Sequence, residues 1–212
     1  KIASNYGKSY YPSDYSPNAG WADYYGNEDF FKAYPNDDRK EWNYMTEWKI
    51  KSGEIIPYTE SADKLPAISK YYDYDEGAPG KSAQSNGITC IYRYAEVLLM
   101  YAEASTRATN SVNQDALNAI QEVQKRAGYQ DRQIELTTTT EPTAFLAAVS
   151  NERGWEFFAE MKRWFELVRL EKVKEVRAEE WDASTFNTNH HYYFPVPYQQ
   201  VDLAGWTNNA GY

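Results

Sequence analysis

Four charged side chains in the segment NERGWEFFAEMKRWFELVRL (residues 151–170) have the spacing of one helical stripe. At positions i, i+4, i+8 and i+11, they are Glu152, Glu156, Glu160 and Arg163. Two carboxylates one helical turn apart resemble the acid and nucleophile of a retaining glycoside hydrolase, which lie about 5–5.5 Å apart. Catalytic carboxylates must flank a bond in a cleft, however, whereas these have arginines beside them. The pattern therefore favours an ion-pair network over catalysis.

An apolar stripe runs beside the charged one. Its members are Phe158, Met161, Phe165 and Val168, widened by Phe157 and Trp164. A helix that is apolar over most of its girth is largely buried, so its charges need partners. The expected partners are the arginines Arg93, Arg126, Arg153 and Arg163. We predict a structural ion network of Arg93, Glu152, Arg153, Glu156, Glu160 and Arg163, and no catalytic residue.

A second group of candidate residues lies in the segment PNAGWADYYGNED (residues 17–29). Sugar rings present apolar C–H faces, which flat aromatic side chains cover, and hydroxyls, which amides and carboxylates bind. This segment offers both kinds of side chain, and we predict as ligand-binding residues Trp21, Tyr24, Tyr25, Asn18, Asp23 and Asn27. The alternative is that these rings only pack the loop onto another part of the protein.

Two short motifs raise the question of a metal site. The acidic motif DYDEG (residues 73–77) has three carboxylates in four residues, a composition that suits Ca²⁺. Its spacing lacks the full loop pattern of a calcium site, which favours a solvated acidic turn. His190 and His191 are adjacent, so we expect them to face different ways, and no third histidine or nearby cysteine completes a zinc site. We predict no metal site and no cofactor.

The composition limits the classes of function. The chain has 212 residues, a net charge of −9 and one cysteine, Cys90. The length fits one domain or two, and the acidic balance argues against nucleic acid as a partner. One cysteine excludes an internal disulfide framework. No apolar run approaches the roughly 18 residues of a membrane span, and no signal peptide is recognisable. Because the sequence begins at Lys1 rather than Met, we expect a processed chain or a piece of a longer one.

The chain divides into three regions by pattern. Residues 1–87 are rich in loops and aromatic side chains, with a short helix expected near Tyr24. Within this region, residues 37–50 predict a short helix that passes into a strand, and Gly53 predicts a turn before an extended piece. Residues 88–175 show helical spacing and form the expected helical core. Residues 176–212 read as an irregular tail, in which Pro195 and Pro197 exclude a helix.

Three helices are predicted in the core region. The first has apolar or small side chains at helical spacing, namely Tyr94, Val97, Leu98, Tyr101, Ala102 and Ser105. The second begins after the N-cap Asn113 and ends at Gly128, so the two form a hairpin with the large–small alanine pattern of tetratricopeptide repeats. The third is expected to run from the N-cap Thr140 to about Lys174, with a kink at Gly154.

Four sequence motifs follow one another along the chain, and their combination in this order is characteristic of one protein family. They are YRYAEVLLMYAEA (residues 92–104), ALNAIQEVQKRAGY (residues 116–129), the segment of residues 151–170, and YYFPVPYQQVDL followed by TNNAGY at the C-terminus. Together they resemble the C-terminal portion of the SusD/RagB family of outer-membrane nutrient-binding lipoproteins. The motifs DDRKEW (residues 37–42) and ISKYYD (residues 68–73) stand where that family carries an Asp-Arg and a Lys-Tyr stretch. The resemblance covers roughly residues 35–212.

The resemblance implies an all-α, α-rich SusD-like fold: a tetratricopeptide-like helix pair plus further helices with long irregular loops. Residues 1–212 would form its C-terminal domain, with the family's N-terminal half and its lipid anchor absent from this chain. The implied function is to bind an oligosaccharide or polysaccharide at the cell surface, on the outer membrane, and to deliver it to a SusC-type TonB-dependent transporter. No catalysis is implied. The charged stripe of Glu152, Glu156, Glu160 and Arg163 and the motif FPVP (residues 194–197) would have a structural role and would not contact the ligand.

Three alternatives stay open at the level of the sequence. The RagB branch of the family indicates a peptide-binding uptake component, for which a charged pocket and unpaired backbone edges would be expected. A glycoside hydrolase would need carboxylates placed in a cleft away from the arginines. A helical-repeat scaffold that binds only protein would leave the loops rich in Tyr and Trp unexplained.

Overall fold

A computed structural model of the chain describes residues 6–16, 19–72, 90–176 and 187–212. It contains two compact units, Lys1–Met161 and Lys162–Tyr212. Helices dominate both, so the predicted α-rich fold is confirmed. The first unit carries the residues with the strongest candidate roles.

The N-terminal part of the first unit consists of short elements joined by ordered loops. Its helices are α1 (Tyr6–Tyr10), α2 (Glu28–Ala33) and α3 (Asp38–Asn43). Its strands are β1 (Tyr44–Met45), β2 (Glu47–Lys49), β3 (Ile55–Pro57) and β4 (Ala67–Ile68). The antiparallel pairs are β1 with β4 and β2 with β3, with Trp48 opposite Ile56.

Local sequence signals explain most of these short elements. Helix α3 passes directly into β1, and Gly53, with φ 91°, forms the turn before β3, so both predictions for this stretch are confirmed. The side chain of Asp37 caps α3 by accepting hydrogen bonds from the N–H groups of Arg39 and Lys40. The helix expected near Tyr24 is wrong, because residues 21–27 are non-helical, Tyr25 forms a β-bridge with Ala67, and α2 begins only at Glu28.

The main core lies among α4 (Tyr94–Thr109), α5 (Gln114–Arg126) and α6 (Pro142–Glu156). Helices α4 and α5 form the predicted hairpin, and α6 packs against both. The buried residues of this core are Leu99, Ala102, Ala116, Leu117, Ala119, Ile120, Val123, Phe145, Val149 and Phe157. Side chains of α5 at spacings of three and four supply the largest share of it, as expected for an amphipathic helix.

The caps of α5 match the sequence prediction. The side-chain oxygen of Asn113 accepts a hydrogen bond from Ala116 N at 2.8 Å, and Gly128 follows the helix with φ 83°. Asn113→Ala is expected to lower the free energy of unfolding by about 1 kcal/mol, because an N–H in the first turn loses its acceptor. The exposed mid-helix change Asn118→Ala is the matched control and should not destabilise. Urea denaturation of both variants measures this difference, and equal midpoints would contradict it.

Helix α4 buries a different side from the stripe that predicts it. Among the residues of that stripe, Ala102 is buried, whereas Tyr94, Val97 and Tyr101 are exposed. The side that faces the core carries Glu96, Leu99, Ala102, Glu103 and Thr106. Apolar spacing therefore predicts the helix correctly but does not identify which of its sides packs against α5 and α6.

The single long helix expected from Thr140 to Lys174 is wrong. Helix α6 ends at Glu156, and the chain then turns, with positive φ values of 58° at Ala159 and 60° at Met161. Its N-cap is Glu141 rather than Thr140, since the Glu141 carboxylate accepts from Thr143 N and Ala144 N. Glu160 and Arg163 therefore do not continue the stripe of Glu152 and Glu156 on one helix.

The described residues of the second unit, 162–176 and 187–212, contain four short helices. They are α7 (Arg163–Arg169), α8 (Val173–Val176), α9 (Thr188–His191) and α10 (Tyr198–Ala204). The stretch that contains Pro195 and Pro197 is non-helical as predicted, but α9 and α10 flank it, so the tail is not irregular throughout. In the described part of the chain, every helix falls short of the length and apolarity that a membrane crossing requires.

Candidate functional site

The loop that carries the predicted ligand-binding residues is tied to α1 through its backbone. Five of its N–H groups donate to carbonyls of residues 8–12: Gly20 to Pro12 at 2.9 Å, Trp21 to Lys8 at 2.7 Å, Ala22 to Tyr11 at 3.1 Å, Asp23 to Ser9 at 2.9 Å and Tyr24 to Ser9 at 3.2 Å. These bonds fix the direction in which the loop presents its side chains. A loop held in this way loses little conformational entropy when it binds a ligand.

Two aromatic rings of this loop are exposed. Trp21 is 50% and Tyr24 is 57% exposed. The Nζ of Lys8 lies 5.0 Å from the centroid of the Trp21 ring, and the Tyr24 ring packs at 5.5 Å against Tyr10. Tyr10 is itself buried and stacks on Tyr71. Each exposed ring is thus supported by a neighbour and remains open to solvent elsewhere.

The other predicted ligand-binding residues have different surroundings. Asp23 is exposed beside the two rings. Asn27 is exposed too, but its Oδ1 caps α2 by accepting from Phe30 N at 2.9 Å. Tyr25 is half-buried and donates its hydroxyl hydrogen to Asp63, and burial followed by that carboxylate raises the pKa of Tyr25. Asn18 lies outside the described residues. Trp21, Asp23 and Tyr24 are thus neighbouring exposed residues, and we name the segment of residues 20–24 that carries them the aromatic loop.

Gly20 is required where the aromatic loop approaches α1. A Cβ added at Gly20 would lie 1.9 Å from the carbonyl oxygen of Tyr11. Gly20→Ala is therefore expected to displace the loop and to lower the free energy of unfolding by about 1–3 kcal/mol, the range for overpacking. Ser13→Ala is the control, since Ser13 is exposed and a surface substitution usually changes the free energy of unfolding by less than about 0.5 kcal/mol. Thermal denaturation compares them, and a smaller loss for Gly20→Ala would contradict the prediction.

Several of the predicted charged residues meet around Glu156, together with Arg39, which was not predicted. Its carboxylate accepts hydrogen bonds from Arg39 Nη1 at 2.7 Å, from Arg126 Nη2 at 2.6 Å and 2.7 Å, and from Arg93 Nη1. Burial alone would raise the pKa of the Glu156 carboxyl, but Arg93, Arg39 and Arg126 together hold it below its ordinary value. Three guanidinium groups thus stabilise one ionised carboxylate that is almost fully buried.

Arg39 joins α3 to α6 in this ion network. Its guanidinium donates to Asp37 Oδ2 at 2.5 Å and to Glu152 Oε1 at 2.6 Å, besides Glu156. Glu152 is fully buried and also accepts from Tyr129 and Gln124. Its burial raises the pKa of the Glu152 carboxyl, although Arg39 opposes that effect.

The remaining predicted members of the network occupy three positions. Glu160 accepts hydrogen bonds from Lys70 Nζ at 2.7 Å and from Arg93 Nη2 at 2.8 Å. Arg153 lies 3.7 Å from Glu96 and is buried against the ring of Phe157. Arg163 belongs to the second unit, where its Nη1 is 3.7 Å from Glu166.

The sequence prediction missed three residues of the network, namely Asp37, Arg39 and Lys70. The signal that could have identified them is present, since Asp37 and Arg39 belong to DDRKEW and Lys70 to ISKYYD. Hydrophobic periodicity gives no information about such partners, because they lie 113 and 90 positions from their carboxylates along the chain. A cleft of about 400 Å³ opens beside the network, with the exposed ring of Trp42 in its wall.

The candidate metal motifs give no site in the described part of the chain. Across residues 6–16, 19–72, 90–176 and 187–212, no group of three His, Cys, Asp or Glu side chains is placed to hold a metal ion. The acidic motif of residues 73–77 lies outside those ranges. The two histidines do not face different ways as expected. Their rings stack at 4.7 Å, and Tyr212 packs edge-on against His190.

Comparison with known proteins identifies what this arrangement resembles. The family model described as SusD family matches residues 2–212. SusD-like protein P2 of Formosa agariphila is 28% identical over 200 residues, which are 85% of this chain and 39% of that protein. This chain thus spans well under half of that relative's length.

Two solved structures share the fold. A SusD homolog from Bacteroides thetaiotaomicron matches 99% of this chain and 48% of its own, with a TM-score of 0.79 and 20% identity. The surface glycan-binding protein A from Bacteroides uniformis matches 98% of this chain and 47% of its own, with a TM-score of 0.69 and 22% identity. At these identities the likeness concerns the fold, and about half of each of those chains has no counterpart here.

Proposed function

Because this chain belongs to the SusD family, we propose that it binds an oligosaccharide at the cell surface for nutrient uptake. SusD-like proteins are binding proteins rather than enzymes. The finer parts of the proposal are delivery of the sugar to a SusC-type TonB-dependent transporter and attachment of the protein to the outer membrane through a lipid anchor. The name of the Bacteroides uniformis protein, a surface glycan-binding protein, supports the class of ligand.

The observation that carries the proposal is the aromatic loop itself. Trp21 and Tyr24 present exposed rings on a backbone that is bonded to α1. Aromatic rings bind the apolar faces of sugars, and Asp23 beside them can accept hydrogen bonds from hydroxyls. In this proposal the ion network around Glu156 supports the fold and does not contact the ligand.

A peptide ligand fits this loop less well. Extended peptides are bound chiefly through unpaired backbone groups at the edge of a sheet. The N–H groups of residues 20–24 already donate to carbonyls of residues 8–12, so they are not available to a peptide.

The arrangement of the carboxylates does not favour a glycoside hydrolase. The Glu152 and Glu156 carboxylates are buried and bound by guanidinium groups, whereas catalytic carboxylates must flank a bond of the substrate in a cleft.

The test is a calorimetric titration of this chain with a panel of neutral and acidic oligosaccharides, with a panel of peptides beside it. Saturable binding of at least one oligosaccharide is expected. Binding of peptides alone would replace sugar with peptide as the ligand. Turnover of a bound sugar, followed by chromatography of the titrated sample, would contradict a pure binding function.

A further inference from the structure

The cleft of about 400 Å³ beside the ion network is not used by the proposed function. Its volume falls within the roughly 300–1,000 Å³ of small-molecule sites. The charged side chains that line it are Arg39, Lys70, Arg93, Arg126, Asp38, Glu156 and Glu160. What the cleft can bind depends on which of its polar groups still have hydrogen-bonding capacity.

The carboxylates that line the cleft already have cationic partners. Glu156 is bound by three guanidinium groups, and Glu160 by an ammonium and a guanidinium group. Asp38 accepts a hydrogen bond from Arg132 Nε at 2.9 Å. The acidic groups of the cleft are therefore compensated, so its remaining capacity lies with its cations and its uncharged polar groups.

Arg126 is the cation of the cleft with the most unused donors. Its side chain is 61% exposed, and its Nη2 donates to the two oxygens of Glu156 at 2.6 and 2.7 Å. Its Nη1 and Nε groups bind no other residue in the described part of the chain. Because a guanidinium has five N–H donors, these groups can bind a second carboxylate from the cleft.

Lys70 adds an ammonium to the same cleft. Its Nζ donates to Glu160 Oε1 at 2.7 Å and to the carbonyl oxygen of Glu156 at 3.4 Å. Burial lowers the pKa of Lys70 below its ordinary value, although Glu160 opposes that effect. The ammonium is therefore not fully compensated, and a further anion in the cleft would stabilise it.

Asn43 supplies an acceptor. It is 6% exposed and lines the cleft. The hydroxyl of Tyr34 donates to Trp155 O at 2.7 Å, so it accepts from Asn43 Nδ2 at 2.8 Å, which fixes the orientation of the amide. Among the described residues, none donates to Asn43 Oδ1. Since buried polar groups are normally hydrogen-bonded, this oxygen is available to a hydroxyl of a ligand.

We propose that the cleft binds an acidic sugar residue of the uronic acid type. Arg126 and Lys70 bind its carboxylate, and Asn43 Oδ1 accepts a hydrogen bond from a hydroxyl. The choice of a sugar as the carrier of the carboxylate rests on the proposed function, but the site shares no residue with the aromatic loop. One sugar residue makes few contacts, so we expect a Kd of about 1 mM.

The experiment is an NMR titration of the ¹⁵N-labelled chain with glucuronate, glucose and acetate at constant ionic strength. The signals to follow are the Arg126 Nε–H and the Asn43 side-chain amide. Glucuronate is expected to shift both signals saturably. Glucose lacks the charge and should bind at least about tenfold more weakly, and acetate lacks the hydroxyl and should bind about fivefold more weakly. Equal binding of acetate and glucuronate would overturn the proposal.

A matched pair of variants tests the role of Arg126. Arg126→Gln should weaken glucuronate binding at least about tenfold, because it removes a charged donor. Lys125→Gln removes the same charge from the neighbouring exposed position of α5, which does not line the cleft, and should leave the Kd within about twofold. Circular dichroism confirms the fold of both variants. Equal losses in the two variants would contradict the assignment of Arg126.

The failure of this inference differs from the failure of the proposed function. Neutral oligosaccharides that bind the chain while glucuronate leaves the Arg126 signal unchanged would overturn only the cleft site. Saturable glucuronate shifts in a chain that binds no neutral oligosaccharide would contradict the role of the aromatic loop and support the cleft. A short acidic peptide that shifts the same signals at a lower concentration than glucuronate would overturn the sugar as the ligand.

Discussion

Glu156→Gln is expected to lower the free energy of unfolding by about 3 kcal/mol. The substitution keeps the size of the side chain but removes the charge that three guanidinium groups share. Breaking a buried ion pair costs about 3–5 kcal/mol, because the remaining charge stays buried without a partner. The lower end of that range applies here, since Arg126 and Arg93 reach solvent while Arg39 does not.

Glu152→Gln is the matched comparison for this prediction. Glu152 is more deeply buried than Glu156, yet its charged partner is Arg39, which keeps Asp37 and Glu156 when Glu152 loses its charge. The expected loss is about 1 kcal/mol, the net value of a hydrogen bond. Chemical denaturation at pH 7 measures both variants. If Glu152→Gln destabilises the protein as much as Glu156→Gln, Glu156 is not the carboxylate on which the stability of the network chiefly depends.

The pH dependence of stability tests the same residue. Since the pKa of Glu156 is lower in the folded protein than its ordinary value, the unfolded chain binds this proton more readily. Its contribution to stability is therefore full above the ordinary pKa of glutamate and is lost as the pH falls below that value. We expect the difference in unfolding free energy between wild type and Glu156→Gln to shrink from pH 7 to pH 3. A difference that stays constant over that range would show that the charge of Glu156 does not cause it.

Trp21→Ala is expected to weaken oligosaccharide binding by about 30-fold, which corresponds to the roughly 2 kcal/mol of a binding hot spot. The ring is half exposed, and the backbone N–H of Trp21 is fixed by its hydrogen bond to Lys8 O, so the ring can be presented without a rearrangement of the loop. The melting temperature should stay close to that of wild type, because the Trp21 ring lies at the surface. Calorimetric titration with the best ligand of the glycan panel measures the change in Kd.

Trp42→Ala is the matched control for Trp21→Ala. Trp42 is also a surface tryptophan of the first unit, with 62% of its area exposed, but it lies on α3 in the wall of the cleft beside the ion network. Its removal should leave the Kd within about twofold, the effect of a contact outside the energetic centre of an interface. Loss of binding in Trp42→Ala with normal binding in Trp21→Ala would move the ligand from the aromatic loop to the cleft.

Local signals in the sequence predict several elements of this protein correctly. Asn113 and Gly128 define the ends of α5, and Gly53 defines the turn before β3. Such features depend on hydrogen bonds and backbone angles within a few residues, and these are encoded in neighbouring side chains. The same local logic predicts that the charges of residues 151–170 need partners, because they stand next to apolar side chains.

The tertiary structure determines which partners the charged residues of segment 151–170 have and which surfaces remain exposed to solvent. Arg39 binds Glu152, which lies 113 positions further along the chain, and no local sequence pattern predicts a contact over that separation. The turn with positive φ at Ala159 and Met161 ends the helical stripe, yet Lys70 and Arg93 still meet Glu160 from other parts of the chain. The apolar spacing of α4 predicts a helix, but its packing against α5 and α6 determines that Tyr94, Val97 and Tyr101 lie at the surface. Helix periodicity is a property of one segment, whereas the side that becomes buried depends on every segment that packs against it.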